Sequence, residues 1–248
     1  SNGGHLRESG SRNAKSIAKL SSATSLIING EPTEARETIY NLSGKYYPVK
    51  YFNEKGTFYG YVWQGLLAKA TARGREGNLF LYGWKSFNPD NNILTYTLTR
   101  VAEGEQKLEV VWSDTISYHT SYEAKVLNGM GLTGVKNILR VGMLGEACGV
   151  ATVYSYFAWD GKKFYRLPEK MSVGDAGVYG YYEELSFPAE HKMGKDVIII
   201  KSTEVEYEEL MYKELPGQYF TESTEVIKYR MYKWSGTTYE LIKQEDID

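Results

Sequence analysis

The sequence predicts an all-β fold: a propeller-like array of about four antiparallel four-stranded units. Three observations predict it. A hairpin pattern recurs along the chain, a second pattern recurs with the same period, and the segments between them alternate in polarity. The first pattern is clearest in "YSYFAWDGKKFYRLPE", residues 154–169, where a turn falls at Asp160-Gly161 between two β-rich runs. Glycine accepts the positive φ such turns need. "YKWSGTTYELI" repeats the pattern around Trp234-Ser235-Gly236, and "YNLSGKYYPV" around Leu42-Ser43-Gly44. "LTRVAEGEQKLEVVW" repeats it more loosely around Gly104. These glycines lie 60, 57 and 75 residues apart (104−44, 161−104 and 236−161). The second pattern is an Asn or Asp leading into an apolar run: Asn78 in "GNLFLYGW", Asn137 in "KNILRVGML" and Asp196 in "KDVIIIKS". Both intervals are 59 residues (137−78 and 196−137). A period near 60 suits a somewhat long four-stranded blade. An open or incomplete repeat array and a β-sandwich are the alternatives, because a closed ring must shield its last edge.

Each element follows from these landmarks. Residues 1–23 are polar and read as an N-terminal arm. The repeat domain then spans 24–248, in units of roughly 24–60, 61–118, 119–178 and 179–248. The first unit is degenerate; "TSLIING" is its candidate strand, and 14–20 suits a short helix equally well. In the second unit the strands are expected over 64–73, 78–85, 93–101 and 107–112. In the third they are expected over 121–130, 137–144, 151–159 and 163–168. In the fourth they are expected over 180–188, 196–202, 225–234 and 238–243. Leu94, Tyr96 and Leu98 alternate with Thr95, Thr97 and Thr99, which places each set on one face of a sheet. Ile227, Tyr229 and Met231 alternate with Lys228, Arg230 and Tyr232 in the same way. Val197 to Ile200 are apolar on both faces, as a middle strand between sheets would be. Leu66, Ala68, Ala70 and Ala72 suit an innermost strand, where space is small.

Composition narrows the function classes. The 248 residues include 22 Tyr, a residue that packs its ring on a pleated surface while its hydroxyl reaches water. A net charge of −2 argues against a strongly basic nucleic-acid surface, so no nucleic acid is expected as a partner. The single Cys148 excludes an intramolecular disulfide and a cysteine zinc cluster. No apolar run has the length of a membrane helix, so no membrane span is expected. The polar N-terminus lacks the apolar stretch of a secretory signal, and is compatible with a signal or lipid-anchor cysteine removed upstream.

The units resemble degenerate bacterial FG-GAP repeats, the β-propeller repeats of the integrin-alpha type. The likeness rests on the aromatic-x-Trp-x-Gly hairpins "FAWDGKKF" and "YKWSGTTY" and on the Asn/Asp lead into each second strand, over roughly residues 38–248. It implies a propeller-like fold and a place outside the cytoplasm (periplasmic, surface or secreted). The family's calcium loop, with alternating Asp and Asn, is missing. "ARGREGN", "MGLTGVKN" and "PAEHKMGKD" stand in its place and do not supply the oxygen ligands calcium needs. No metal or cofactor is therefore expected.

Strand parity decides which loops share an end of the array. The fourth unit has 40 residues between its landmarks (236−196), against 26 and 24 in the two before it (104−78 and 161−137). The excess is "TEVEYEELMYKELPGQYFTES", residues 203–223. This insertion carries Tyr207, Tyr212, Tyr219 and Phe220 beside Glu206, Glu208, Glu209 and Glu214. Rings beside carboxylates stack on a sugar or hold a basic peptide, and long loops on rigid scaffolds are frequent binding sites. The competing reading is an acidic hairpin that only covers an edge. His119, in "SYHTSY", and Cys148 fall at the same end, which allows a Cys–His pair. A reactive cysteine usually needs a nearby His or cation, however, and no His is close in sequence.

Two further features read as structure. Gly129, Gly131 and Gly134 match a dinucleotide-binding spacing, but an apolar strand follows rather than a helix, so they read as a turn. Glu183 and Glu184 are strand neighbours pointing to opposite faces and cannot act as a catalytic pair. No catalytic residue is assigned. The expected function is non-enzymatic binding or scaffolding toward a protein or glycan partner through Tyr207, Tyr212, Tyr219, Phe220, Glu208, Glu209 and His119. The alternative is a polysaccharide-active hydrolase or lyase, with a site assembled from several units.

Overall fold

The computed structural model describes residues 4–74, 77–102, 108–115, 121–175, 178–211 and 219–247, with backbone alone over 108, 114–115, 207–211, 219–223 and 247. It is all-β. Among the described residues there is no α-helix, and the antiparallel sheets are open; none closes on itself. The chain divides into two compact units, Ser1–Tyr118 and His119–Asp248.

The first unit holds three sheets. One has five strands: β1 (Gly4–Arg7), β2 (Ser16–Leu20), β3 (Ile27–Ile28), β6 (Tyr46–Asn53) and β7 (Gly56–Trp63), in the order β2-β1-β7-β6-β3. The expected polar arm thus supplies two strands, and residues 16–20 are strand rather than helix. The reason lies in alternation: Leu6 and Leu20 are buried with Val49 and Val62, while the residues between them carry the polarity. A small sheet pairs β4 (Glu37–Ile39) with β5 (Leu42–Gly44). Its turn is Tyr40-Asn41, at φ 54° and 60°, and not Ser43-Gly44 as the glycine pattern suggested. Gly44 lies in the strand instead. A Cβ there would come 2.8 Å from the Trp63 indole nitrogen.

The remaining sheet of this unit is a four-stranded meander in the order β11-β10-β9-β8. Its strands are β8 (Ala70–Arg73), β9 (Leu79–Asn88), β10 (Ile93–Val101) and β11 (Leu108–Thr115). Its last three strands follow those expected over 78–85, 93–101 and 107–112, and the first needs a correction. Residues 64–66 form a single 3-10 turn and Leu66 is exposed, so the first strand begins only at Ala70 and is an edge. The alternation of β10 holds: Leu94, Tyr96 and Leu98 are buried, and Thr95 and Thr97 lie on the other face. The Gly104 turn lies outside the described residues, but Arg100 pairs with Leu108 across it.

The second unit is built on one nine-stranded sheet. Its strands are β12 (Ser121–Asn128), β13 (Asn137–Leu144), β14 (Thr152–Trp159), β15 (Phe164–Arg166), β16 (Lys170–Asp175), β17 (Tyr179–Ser186), β18 (Val197–Met211), β19 (Tyr219–Trp234) and β20 (Tyr239–Ile247). Two four-stranded meanders, β12 to β15 and β17 to β20, match the strands expected from sequence. They are not separate blades. β14 pairs with β15 through Phe157–Trp159 and with β16 through Thr152–Tyr154, and β16 then pairs with β17. Pro168 sits between β15 and β16; it has no N–H for a ladder, so one strand becomes two.

The two halves of this sheet close on a shared core. Ile138, Tyr156 and Ala158 from one half meet Phe187, Ile198 and Trp234 from the other, with Leu132 and Leu167 between. The turn ends are clasped together. Thr133, in the β12–β13 turn, donates its N–H and hydroxyl to the Asp196 carboxylate at 2.5 and 2.8 Å. The Trp234 indole donates to the Thr133 carbonyl at 3.1 Å, and the Trp234 backbone N–H donates to the Asp196 carbonyl at 2.8 Å. Asp196 holds φ at 59°, a conformation that Asp and Asn tolerate better than most other non-glycine residues. The two Trp-x-Gly hairpins are alike in detail, with Gly161 at φ 106° and Gly236 at φ 100°, and with Trp159 and Trp234 both buried.

Candidate functional site

The 203–223 segment is not a loop. β18 and β19 pair without interruption from Val197↔Lys233 to Met211↔Tyr219. The reason is the alternating β-rich run on each side of the Pro216-Gly217 turn signal, which continues the flanking strands outward. Their neighbours stop early. β17 accompanies β18 only to Glu206, and β20 accompanies β19 only from Ile227. Beyond those points the pair is a two-stranded ribbon. The 207–211 stretch projects roughly 17 Å at strand rise.

Of the residues expected to bind, Tyr207, Glu208 and Glu209 fall in β18, and Tyr219 and Phe220 fall in β19. Tyr207 stands opposite Ser223, Glu208 opposite Glu222, Leu210 opposite Phe220 and Met211 opposite Tyr219. Tyr212 and His119 lie outside the described residues. Among the described residues, no neighbouring strand takes up the backbone groups on the outer edges of the ribbon. The sequence here is acidic, with Glu204, Glu206, Glu208, Glu209, Glu222 and Glu225 against Lys213. Cys148 is exposed in the β13–β14 connection.

Where β16 leaves β17 for β14, Glu183 binds the fork. Its Oε2 accepts from the Met171 backbone N–H at 2.6 Å. Its Oε1 accepts from the Tyr181 hydroxyl at 2.6 Å and from the Arg230 guanidinium. Glu183 is buried whereas Glu184 is exposed, as their opposite faces require. Burial and then the Glu183 hydrogen bond push the Tyr181 hydroxyl up to about 12. Sequence reasoning did not pair Glu183 with Arg230, which is 47 residues away and gives no local signal. Across the core, Arg140 pairs with Glu123 at 2.8 Å and lies over the Tyr154 ring at 4.9 Å, where Lys170 also sits at 5.1 Å. Among the described residues no group of three or more His, Cys, Asp or Glu is arranged to hold a metal, and no helix is long and apolar enough to cross a membrane.

Fold and site together define a class: an all-β protein of open antiparallel meanders with a projecting acidic ribbon. No protein-family model, curated protein or solved structure matches the chain.

Proposed function

We propose that this is a non-enzymatic binding or scaffolding protein that acts outside the cytoplasm. It presents the β18–β19 ribbon to an extended basic segment of a partner protein. The observation that carries this reading is the ribbon's projection past β17 and β20, which leaves strand edges open along a run of glutamates. Strand addition to an open edge supplies backbone hydrogen bonds, and the carboxylates select basic side chains. The aromatic residues Tyr207, Tyr212, Tyr219 and Phe220 are the anchors of this reading, since rings dominate affinity at small interfaces. The likeness to FG-GAP repeats supports the location and the scaffold role.

The polysaccharide hydrolase or lyase alternative needs an acid open to substrate. Glu183, the buried acid of the Tyr181–Arg230 cluster, has both oxygens engaged within the protein. Panning a random peptide library tests the reading. The intact chain should select extended basic peptides. A variant with residues 208–222 replaced by Asn-Gly should not bind them, and Tyr207/Tyr212/Tyr219→Ala should bind them at least about tenfold more weakly. Equal binding by the shortened variant would rule the ribbon out.

A further inference from the structure

We propose that the outward face of β6 and β7 is a second binding surface, for an acidic polysaccharide built of uronate sugars. It is separate from the ribbon and does not depend on it. The inward face of this sheet carries the core residues Val49 and Val62. Physical expectation then puts polar residues on the other face. Instead Ile27, Phe52 and Tyr59 stand there, 55%, 50% and 58% exposed. Ile27 and Tyr59 are the direct cross-strand neighbours of Lys50, one on each side, and Phe52 is two residues along the same strand face. The Lys50 ammonium lies 4.7 Å from the Phe52 ring centroid and 5.7 Å from that of Tyr59. Among the described residues, no carboxylate forms an ion pair with Lys50.

The exposure belongs to this end of the sheet alone. At the other end Tyr46 and Trp63 occupy equivalent outward positions and are buried, and Thr33 binds the Tyr46 backbone at the edge of the strand. The result is a patch of exposed rings around the Lys50 ammonium on the face of the sheet. A pyranose offers an apolar C–H face to such rings, and a uronate adds a carboxylate for the ammonium. Side chains half or more exposed on a sheet face fit a polymer lying along it better than an enclosed small molecule. Two other occupants fit less well. A stable dimer needs roughly 800 Å² from each partner, more than these few side chains supply. An anionic bilayer draws on several basic residues, whereas Glu54 and Lys55 in the adjoining turn offset each other.

Affinity electrophoresis of the full chain tests the proposal, in gels containing sodium polygalacturonate, sodium hyaluronate or amylose. At least one uronate polymer should retard the protein and amylose should not. Lys50→Gln and Tyr59→Ala, both at solvent-facing positions, should each weaken the retardation about tenfold while leaving the circular dichroism and melting temperature unchanged. The ribbon-shortened variant should be retarded like the intact chain. Absence of retardation by both uronate polymers would overturn the proposal, as would retardation that survives both substitutions. Flotation with phosphatidylserine vesicles without uronate binding would also overturn it, by assigning the patch to a membrane.

Discussion

Tyr40 holds φ at 54° in a two-residue hairpin turn and leaves 75% of its surface exposed. A bulky residue is strained in this region, where glycine is not. Tyr40→Gly should therefore raise stability by about 0.5–1 kcal/mol in urea titration, although it removes a side chain. Asp160 works in the opposite sense. Burial raises its carboxyl, but the N–H groups of Lys163 and Lys162 and the Tyr165 hydroxyl outweigh this and hold it below its usual value. A carboxyl lowered in the folded state stabilises above its unfolded value, and that contribution is lost as pH falls through the folded value. Asp160→Asn should accordingly flatten the acid limb of the melting temperature below about pH 4. Tyr181 gives the alkaline counterpart. Its folded value near 12 exceeds the ordinary 10, so its contribution is complete below pH 10 and is lost as pH rises toward 12. Tyr181→Phe should reduce the loss of stability over that window. The roles of Asp160 and Gly161 were legible in the sequence, because turn chemistry is local. Lys50 carries no such local signal, since the apolar character of its face appears only once register is known.

At the scale of elements, the fork between β14, β16 and β17 depends on one carboxylate. Glu183→Ala leaves the Arg230 guanidinium without its partner and the Met171 N–H without an acceptor. The change should cost about 2–4 kcal/mol in urea denaturation, whereas Glu184→Ala should cost under about 0.5 kcal/mol. The strands of both later meanders were legible from alternation and recurring turns. Two features were not. The glycine pattern misplaced the first hairpin, because Gly44 answers the close approach of Trp63 rather than a turn. The ribbon's excess length over its equivalents suggests a loop, but length alone does not distinguish a loop from a longer pair of strands. His119 and Tyr212 fall outside the described residues.

At the scale of the whole molecule, the recurring period is real in sequence and yields meanders, but a repeat does not fix how meanders join. That is decided by Pro168 and by the short β15, whose three residues leave half of β14's edge for β16. Protection should follow from position in the sheets. In hydrogen exchange, amides of β13 and of β18 before Glu206, flanked by strands on both sides, should be the slowest. Amides of 207–211 should exchange many times faster. Comparable protection along all of β18 would mean that the ribbon is covered.

The order of pairing also bears on synthesis. From β12 onward nearly every strand finds its mate in the segment just made, the β16 step over β15 being the exception. That half of the polypeptide can accrete as it leaves the ribosome, each new length zipping onto the last. The opening hairpin cannot settle in the same way: β1 must wait for β7, some fifty residues later, before it gains its second neighbour. During that interval Leu6 and Leu20 are without their final cover, so a nascent chain stalled before Tyr61 is the one most in need of a chaperone.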